Sequence, residues 1–427
     1  MRDLKKQILR CIILSCAGLY PPKQPAEAAY SNYSSVLLGD RAAGMGGAFT
    51  ALTDDPSASP FYNPATLILM KGNSLSTTVN LYNKYNTAIG EIEDVTVAPQ
   101  RLNQGYFRSL PSSSSSIIGF KSFSLGLTIL VPDYKFYSGQ VKGNSDTTSF
   151  LSQVDESLWV GGTFSVKLTE NNSFGFSLYY TARNLSRTVN DRLTTDGGGG
   201  TGAIITNEIK NLSANSVLPV LGLFHRISPI WSLGVSYRPP SLPISGEATY
   251  YRSNTVTSPY QTTIINRANL RAITKIPARL AIGVARENPG EDTLSFDVQI
   301  YEGLAYNDLP EIPEGTDHVT HRPVVNFAVG YEKAVRDWLI LRLGFFTNLS
   351  SHPEPDTRSN IRQGDHVDMN GFSGNIQIKT HQNTTFSFGG YYTGGRGTST
   401  EFVGNQITIV PESQATYTML VATGFAF

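Results

Sequence analysis

The chain has 427 residues, and its 34 lysines and arginines balance its 34 aspartates and glutamates, so the formal net charge is zero. Nucleic acid is therefore not expected as a partner, because a protein that binds it uses an excess of positive charge to displace counterions from phosphate. Charged residues make up 16% of the sequence, below the roughly 25% of soluble proteins. With its abundant Gly, Tyr and Phe, the composition is typical of a large β-structure with one apolar and one polar face.

The first 28 residues are predicted to be an export signal. Basic residues precede a short apolar run at 11–19, which is well below the ~20 residues of a membrane-spanning helix. Ala26-Glu27-Ala28 offers a small-x-small cleavage pattern, so the mature chain would begin near Ala29. Cleavage as a lipoprotein before Cys16 and the absence of processing remain alternatives. Both cysteines of the chain lie in this segment, so the mature chain would carry no thiol for a disulfide, a metal or a nucleophile.

Residues 29–72 are predicted to form an N-terminal hatch that plugs the lumen of the following domain. The stretch 35–70 does not alternate, is rich in small residues and contains several prolines. Its glycines permit close backbone packing, and its Asn-Pro pair favours a turn. The candidate hatch and gating residues are Gly44, Gly46, Gly47, Asn63, Pro64 and Ala65. A purely structural role for them is the alternative, and a phosphate loop is excluded because the Lys-Ser/Thr of that motif does not follow.

Residues 73–427 are predicted to form an all-β domain, a transmembrane antiparallel β-barrel of about 14 strands. Apolar and polar residues alternate, as where Leu294, Phe296 and Val298 share one face of a strand and Ser295 and Asp297 share the other. The polar faces carry mostly Gly, Ser and Thr. Short connections alternate with long ones, as in bacterial outer-membrane barrels.

An even strand number places both termini in the periplasm. The predicted strands are 73–83, 112–121, 122–132, 156–168, 173–184, 214–226, 230–252, 264–287, 292–304, 323–333, 337–348, 368–380, 383–393 and 413–427. The predicted long loops are 133–155, 185–212, 306–322, 349–368 and 394–412. Two long strands contain prolines, at 239–240 and 277. Because proline cannot donate to a strand ladder, these positions are predicted to be bulged or close to the rim.

Charged residues on the polar faces are candidate lumen groups. Arg238, Arg279 and Arg342 are candidates for substrate binding, since arginine can bind a carboxylate through two parallel hydrogen bonds. The alternative is that these arginines, with Lys167 and Asp297, form a hydrated network that has no ligand.

Catalysis and cofactors are not expected. No Gly-x-Ser-x-Gly elbow occurs, so no catalytic residue is assigned and the chain is not predicted to be an enzyme. His318 and His321 lie near Asp317 in a polar loop, but this spacing is weakly specific for a metal. We therefore predict no metal site and no cofactor.

The hatch sequence resembles that of the FadL-type outer-membrane transporters of long-chain fatty acids and other hydrophobic compounds. The resemblance lies in the run 39–48, in Asp54-Asp55-Pro56 and in Asn63-Pro64-Ala65. It implies a monomer in the bacterial outer membrane that takes up small hydrophobic molecules passively, gated by the hatch and surrounded by outer-membrane lipid. A structural or secretion and surface-assembly barrel of the same family, with no transport role, is the alternative.

Two further expectations concern the barrel. The terminal Phe425 and Phe427 resemble the signal read by the barrel assembly machinery of the outer membrane. In relatives, the third strand opens laterally. Here the predicted third strand, 122–132, carries Gly126 but no proline in its middle, so the sequence leaves a lateral opening undecided.

Overall fold

The structure is a computed structural model. It describes residues 31–70, 72–89, 100–142, 147–197, 200–257, 260–312, 318–356, 364–380, 383–403 and 406–427. The predicted export signal, 1–28, and Asp317 lie outside the described residues.

Three short helices form in the N-terminal segment: α1 (Asp40–Gly44), α2 (Ser59–Tyr62) and a 3-10 helix (Pro64–Leu69). The Asp55 carboxylate accepts hydrogen bonds from the amides of Arg41 and Ala42, at 2.7 and 3.1 Å, and so caps α1. The side chain of Asn63 accepts from the amide of Ala65 at 3.1 Å. The Asn-Pro-Ala motif therefore starts the 3-10 helix, with proline at a position that needs no amide donor.

Every other regular element is a strand. The strands are β1 (Ser74–Ile89), β2 (Gln100–Gly119), β3 (Phe123–Lys142), β4 (Thr147–Lys167), β5 (Asn172–Gly197), β6 (Gly200–Arg226), β7 (Trp231–Arg238), β8 (Leu242–Thr257), β9 (Tyr260–Arg271), β10 (Arg279–Glu287), β11 (Asp292–Tyr301), β12 (Leu304–Asn307), β13 (His318–His321), β14 (Val324–Arg336), β15 (Leu339–Asn348), β16 (His366–Lys379), β17 (Thr384–Val403) and β18 (Gln406–Ala426).

Fourteen of these strands close into an antiparallel barrel, which confirms the predicted fold class and strand number. Neighbouring strands pair around the ring, with β6 followed by β7, β10, β11 and β14, and β18 closes it against β1. Phe427 takes part in the closure, since its amide donates to the carbonyl of Asn73 at 2.9 Å. The two other pairs lie outside this ring: β8 and β9 extend the wall beyond β6, and β12 pairs, among the described residues, only with β13.

At both sets of prolines the strand is broken, where the sequence predicted a bulge or a position near the rim. β7 and β8 together cover the predicted strand 230–252 and are separated by residues 239–241. β9 and β10 cover the predicted strand 264–287 and are separated by 272–278, which includes Pro277. β6 runs past both breaks: its residues 221–226 pair with β7, and its residues 204–217 pair with β8.

Several predicted loops are strands, so these predictions were wrong. β5 and β6 continue through 185–212, β17 and β18 through most of 394–412, and β3 and β4 through most of 133–155. The predicted loop 306–322 contains β13. In these extensions, polar side chains such as Asn184 and Ser186 are exposed on the outer face. The alternation of hydrophobicity therefore disappears although the backbone ladder continues.

The wall carries its apolar side chains on the outside, as the alternation predicted. On β3 the apolar residues Leu125, Leu127 and Ile129 are exposed, with Leu127 at 61%. The polar residues Ser124 and Thr128, which lie on the opposite face, are buried. This is the arrangement of a barrel that faces lipid outward and a polar interior inward. No helix among the described residues is long and apolar enough to cross a membrane.

Candidate functional site

The N-terminal segment, residues 31–70, contacts the inward faces of the barrel strands along its length. The carboxylate of Asp40 accepts hydrogen bonds from Ser387, Gln377 and Asn375 at 2.7 to 2.9 Å. These partners lie on β16 and β17, on the faces that are buried. The segment is therefore anchored to the interior of the wall by side-chain hydrogen bonds.

A buried group of four charges, which we call the anchor cluster, joins the segment to β14 and β15. Its members are Asp40, Arg41, Glu332 and Arg342. Arg41 and Arg342 each donate to the Glu332 carboxylate, at 2.8 and 2.6 Å for the shortest contacts. Arg342 also lies 3.4 Å from Asp40 and donates to Gln377 at 2.8 Å. Arg342, a predicted lumen candidate, is thus fully occupied by the wall and the N-terminal segment.

Asp297 holds the middle of the segment. One oxygen of its carboxylate accepts from the amides of Phe49 and Thr50 and from the Thr50 hydroxyl, at 2.6 to 2.9 Å. Two strands away in the same register, across Gly283 of β10, lies Gly234, where a Cβ atom would lie 1.9 Å from the Thr50 carbonyl oxygen. The backbone of the N-terminal segment therefore touches the wall directly, and the space exists because β7 has glycine there.

The Asn-Pro-Ala motif is equally close to the wall. The Asn63 side chain donates to the carbonyl oxygens of Thr50 and Leu223, at 2.8 and 3.0 Å. A Cβ at Gly175 would lie 2.2 Å from the Pro64 backbone. The Ala65 carbonyl accepts from the hydroxyls of two wall serines, the nearer at 2.8 Å. These contacts give the motif a packing role.

The three candidate glycines lie where side chains would collide or be strained. Gly46 and Gly47 have φ angles of 69 and 80°, in the left-handed region that favours glycine. A Cβ at Gly44 would lie 2.5 Å from the side-chain oxygen of Asn375. All three positions are buried in the contact between the segment and the wall.

The remaining two candidate arginines are Arg279, at the start of β10, and Arg238, at the end of β7. Arg279 donates to the Phe61 carbonyl at 3.0 Å, and its guanidinium lies 4.9 Å from the centre of the Phe61 ring. Arg238 is also buried, and its guanidinium lies 5.5 Å from the centre of the Trp159 ring. Among the described residues, none accepts a hydrogen bond from Arg238 or forms an ion pair with it. Lys167, the other predicted inward cation, is exposed at the end of β4.

A cavity of about 50 Å³ lies between the N-terminal segment and the wall, beside Arg238. Its aromatic lining is Tyr33, Phe61, Trp159, Tyr301 and Tyr306. Its charged lining is Asp133, Arg183, Arg238 and Lys275. Residues at both proline breaks of the wall also line the cavity. They are Arg238, at the end of β7, and residues 274–277, in the break before β10.

The cavity is covered on the side of the long connections. Tyr33 stacks on Tyr301 with ring centres 4.2 Å apart. The loop that carries β12 and β13 folds into the barrel, where Leu309 packs in an apolar cluster and buried Asp308 forms an ion pair with Lys210 at 2.6 Å. His321 of β13 lines the cavity and hydrogen bonds to Ser351 at 2.8 Å. Among the described residues, no group of three or more His, Cys, Asp and Glu side chains could hold a metal.

Burial shifts several pKa values in this region. It lowers the pKa of His321 to about 3, because the imidazolium loses its hydration. It raises the pKa of Asp55, and the nearby Asp40 carboxylate adds to the rise. Burial alone would lower the pKa of Arg41, but the carboxylates of Glu332, Glu287 and Asp54 together outweigh it, and the pKa is raised. The arginine is thus a permanent cation, and His321 is neutral at physiological pH.

The strand ladder between β2 and β3 is incomplete beside the cavity. Within the described residues, β2 and β3 pair only from Ser113 and Leu130 to Gly119 and Ser124. Both strands continue well beyond this ladder, β2 on β1 and β3 on β4. The register of β3 shifts between Leu130 and Asp133, around Pro132. The third strand was predicted to end at 132 and to have no proline in its middle. Because β3 extends to Lys142, Pro132 lies inside the strand, and this expectation was wrong.

Sequence reasoning did not single out the aromatic residues of the cavity. The alternation of the fourth strand places Trp159 on its polar face, between the apolar Leu158 and Val160. That position was itself a signal, because a tryptophan on an inward face that otherwise carries Gly, Ser and Thr needs space in the lumen. Tyr33 lacks a comparable signal, since the N-terminal segment has no periodicity.

The sequence matches no family model and no curated protein. Solved structures do match. A FadL homologue of Pseudomonas aeruginosa superimposes with a TM-score of 0.65 and 13% identity, over 93% of this chain and 100% of that chain. The toluene transporter TodX of Pseudomonas putida gives a TM-score of 0.65 and 14% identity, over 93% and 99%. The toluene transporter TbuX of Ralstonia pickettii gives 0.59 and 15%, over 93% and 99%. The resemblance is therefore confirmed for the fold.

Proposed function

We propose that the chain is an outer-membrane channel for the passive uptake of small hydrophobic molecules, with the N-terminal segment as its hatch. The apolar outer face of the wall supports a position in a membrane. Transport of hydrophobic compounds is what the names of the structural neighbours describe, and the same fold is consistent with it. Fold alone does not fix function, so the proposal depends on the cavity.

The observation that carries the proposal is the aromatic cavity between the hatch and the wall. Ligand sites are concave, mostly apolar and contain a few polar groups. Five aromatic side chains, with Arg238 and Asp133, line this cavity. A water-filled pore would offer an apolar solute no affinity, whereas this lining can bind one and exclude ions.

The open seam between β2 and β3 supports a lateral route. It begins at Ser113 and Leu130, and Pro132 and Asp133, immediately beyond it, line the cavity. A solute that leaves through the seam does not need to displace the hatch. We therefore place the exit in the wall, while the anchor cluster keeps the hatch in position.

The cavity as it stands is too small for a substrate. Its volume is about 50 Å³, whereas a cavity of about 150 Å³ accommodates benzene. A ligand must therefore displace a side chain, and Tyr33 and Phe61 are the lining residues that belong to the hatch segment. Gating in this proposal is the movement of Tyr33 away from Tyr301, and the six predicted gating residues hold the hatch to the wall.

Localisation and assembly belong to the same proposal. We place the rim of short connections, where β1 begins and β18 ends, in the periplasm. A cleaved export signal would deliver the chain, and Phe425 and Phe427 would be read by the barrel assembly machinery. The folded protein would act as a monomer surrounded by lipid, without a cofactor.

The test is uptake of radiolabelled toluene by cells that lack their own channels for apolar solutes. Ala214 lines the cavity, so Ala214→Trp should block the route and reduce uptake to the empty-vector level. Ala182 is the matched control, because it lies on the adjacent strand with its side chain on the outer face. Ala182→Trp should leave uptake unchanged. Wild-type uptake equal to the empty vector would overturn the transport function, and full uptake by Ala214→Trp would overturn this route.

A further inference from the structure

Resting on the proposed function, we infer that the cavity selects an aromatic carboxylate, whose anionic group pairs with Arg238 while its ring lies among Trp159, Phe61 and Tyr301. The neighbours named for toluene carry a neutral hydrocarbon. The selection proposed here is for a charged head on an aromatic body.

The first observation is that Arg238 is buried and, among the described residues, forms no ion pair and no hydrogen bond. It is 4% exposed and lines the cavity. Its Nε atom is buried and has no hydrogen-bond partner; its guanidinium lies over the Trp159 ring, and Asp133 of the same lining interacts with it electrostatically without forming an ion pair. A buried cation is costly unless it is paired and hydrogen-bonded. A carboxylate ligand would supply two acceptors in the geometry that a guanidinium favours.

The second observation is that Arg183, the other arginine that lines the cavity, is paired within the chain. Arg342 belongs to the anchor cluster, and Arg183 forms a two-contact ion pair with Asp155 at 2.6 and 2.8 Å. Arg279 donates to the Phe61 carbonyl. Arg238 is therefore the arginine of the cavity that is left for a ligand.

The third observation is the charge balance of the lining. Asp155 compensates Arg183, and Asp133, which accepts from Ser157 at 3.2 Å, can offset one further charge. Arg238 and Lys275 then leave an excess of one positive charge in the lining. His321 does not add to it, because its lowered pKa keeps it neutral. A monoanion matches this excess, whereas a neutral hydrocarbon leaves it uncompensated.

The aromatic side chains of the cavity favour a ligand that contains an aromatic ring. Trp159 lies 5.7 Å from both Phe61 and Tyr179, measured between ring centres. Trp159 also holds the guanidinium over its face, so a ring beside Trp159 brings its substituent to Arg238. Stacked and edge-on aromatic contacts operate at such separations. An aromatic acid uses both parts of the site together.

The test measures binding through the fluorescence of Trp159. The chain has three tryptophans, and the other two, Trp231 and Trp338, are exposed. Replacing both by Phe leaves Trp159 as the single reporter in the full-length, detergent-solubilised protein. The probes are 3-phenylpropanoate and its neutral counterpart 3-phenylpropan-1-ol, titrated separately. We expect the acid to bind at least about tenfold more tightly, as for a hydrogen bond to a charged group.

Arg238→Met should abolish the preference for the acid, a loss of about 10- to 100-fold, while affinity for the alcohol is kept. Arg238→Lys should retain part of the preference. Arg286→Met is the matched control, because Arg286 pairs with Asp292 at the surface; it should change neither affinity. Folding of each variant is checked by its heat-modifiable migration in SDS gels. Equal binding of acid and alcohol, or an Arg238→Met variant that keeps the preference, overturns the inference and leaves the proposed function standing. Binding of neither probe overturns both.

Discussion

Removing the charge of Arg342 should loosen the hatch without unfolding the barrel. The Arg342→Met side chain can no longer bind Glu332, Asp40 or Gln377. Arg342 is buried, and so are the groups that it neutralises. Closure of the barrel does not depend on it, because the strand ladder satisfies its own backbone hydrogen bonds.

The magnitude follows from the contacts that remain. Removing one partner of a buried ion pair costs about 3–5 kcal/mol. Glu332 keeps Arg41, and Asp40 keeps three hydrogen bonds to wall side chains. We therefore take the lower end, about 3 kcal/mol, which corresponds to a roughly 100-fold larger population of the released hatch.

The assay is hydrogen exchange of the hatch amides, followed by mass spectrometry. The amides of Phe49 and Thr50 are bound to Asp297 of β11, so they exchange only when the N-terminal segment detaches from the wall. Their protection should fall about 100-fold in Arg342→Met, while the amides of β5 keep theirs. Arg286→Met, which breaks a solvent-screened pair at the surface, should leave the hatch amides unchanged. Unchanged protection of Phe49 and Thr50 in Arg342→Met would refute the role of the anchor cluster.

Three further outcomes are expected. Gly234→Ala places a Cβ 1.9 Å from the Thr50 carbonyl and should therefore raise ion conductance in planar bilayers. Gly162→Ala is the control, because the nearest atom to its Cβ would be 4.0 Å away, and it should leave conductance unchanged. Equal conductance of the two variants would contradict direct packing of the hatch. Tyr33→Ala should enlarge the cavity and speed toluene uptake, with exposed Tyr260→Ala as the unchanged control, and slower uptake would contradict gating at Tyr33. His321 stays neutral when folded, because its pKa is about 3, but takes up a proton below about pH 6.5 when unfolded. The stability that it contributes is therefore complete above that pH and is lost as the pH falls towards 3, by about 3 kcal/mol at about pH 4.5. Protection factors of the β12–β13 amides at pH 7 and 4.5 measure this loss, and His321→Asn should reduce it.

The membrane-facing half of the fold was predictable from sequence. One face of each strand is apolar there, so period-two alternation located all fourteen wall positions and both proline breaks. The extensions of β5 and β6 were not predictable in this way. Their outer faces are polar, and the ladder that holds them depends on the backbone, which leaves no pattern in residue type.

The site was less predictable than the wall. The polar faces identified Arg238, Arg279 and Arg342 as inward candidates, but only tertiary packing distinguishes them. Arg342 meets Asp40, about 300 positions away in sequence, and such a contact has no local signature. Pro132 illustrates a second limit: the boundary of the third strand was set at the last clear alternation, and the proline was therefore counted as the end of the strand and not as its bend.

The free edge of β9 defines where a surrounding bilayer must end. Among the described residues, β9 pairs only with β8, so its outer row of amides and carbonyls has no ladder partner. Hydrocarbon cannot satisfy such groups, and an open edge there would cost several kcal/mol for each. The water–lipid boundary therefore lies below Arg271, close to the level where exposed Leu242 and Ile244 give way to exposed Glu247. About ten wall residues lie between that level and Trp231 on the opposite rim, enough for tilted strands to cross an apolar band ~25 Å tall. The free edge of β9 thus limits how deeply the protein can be inserted in the bilayer.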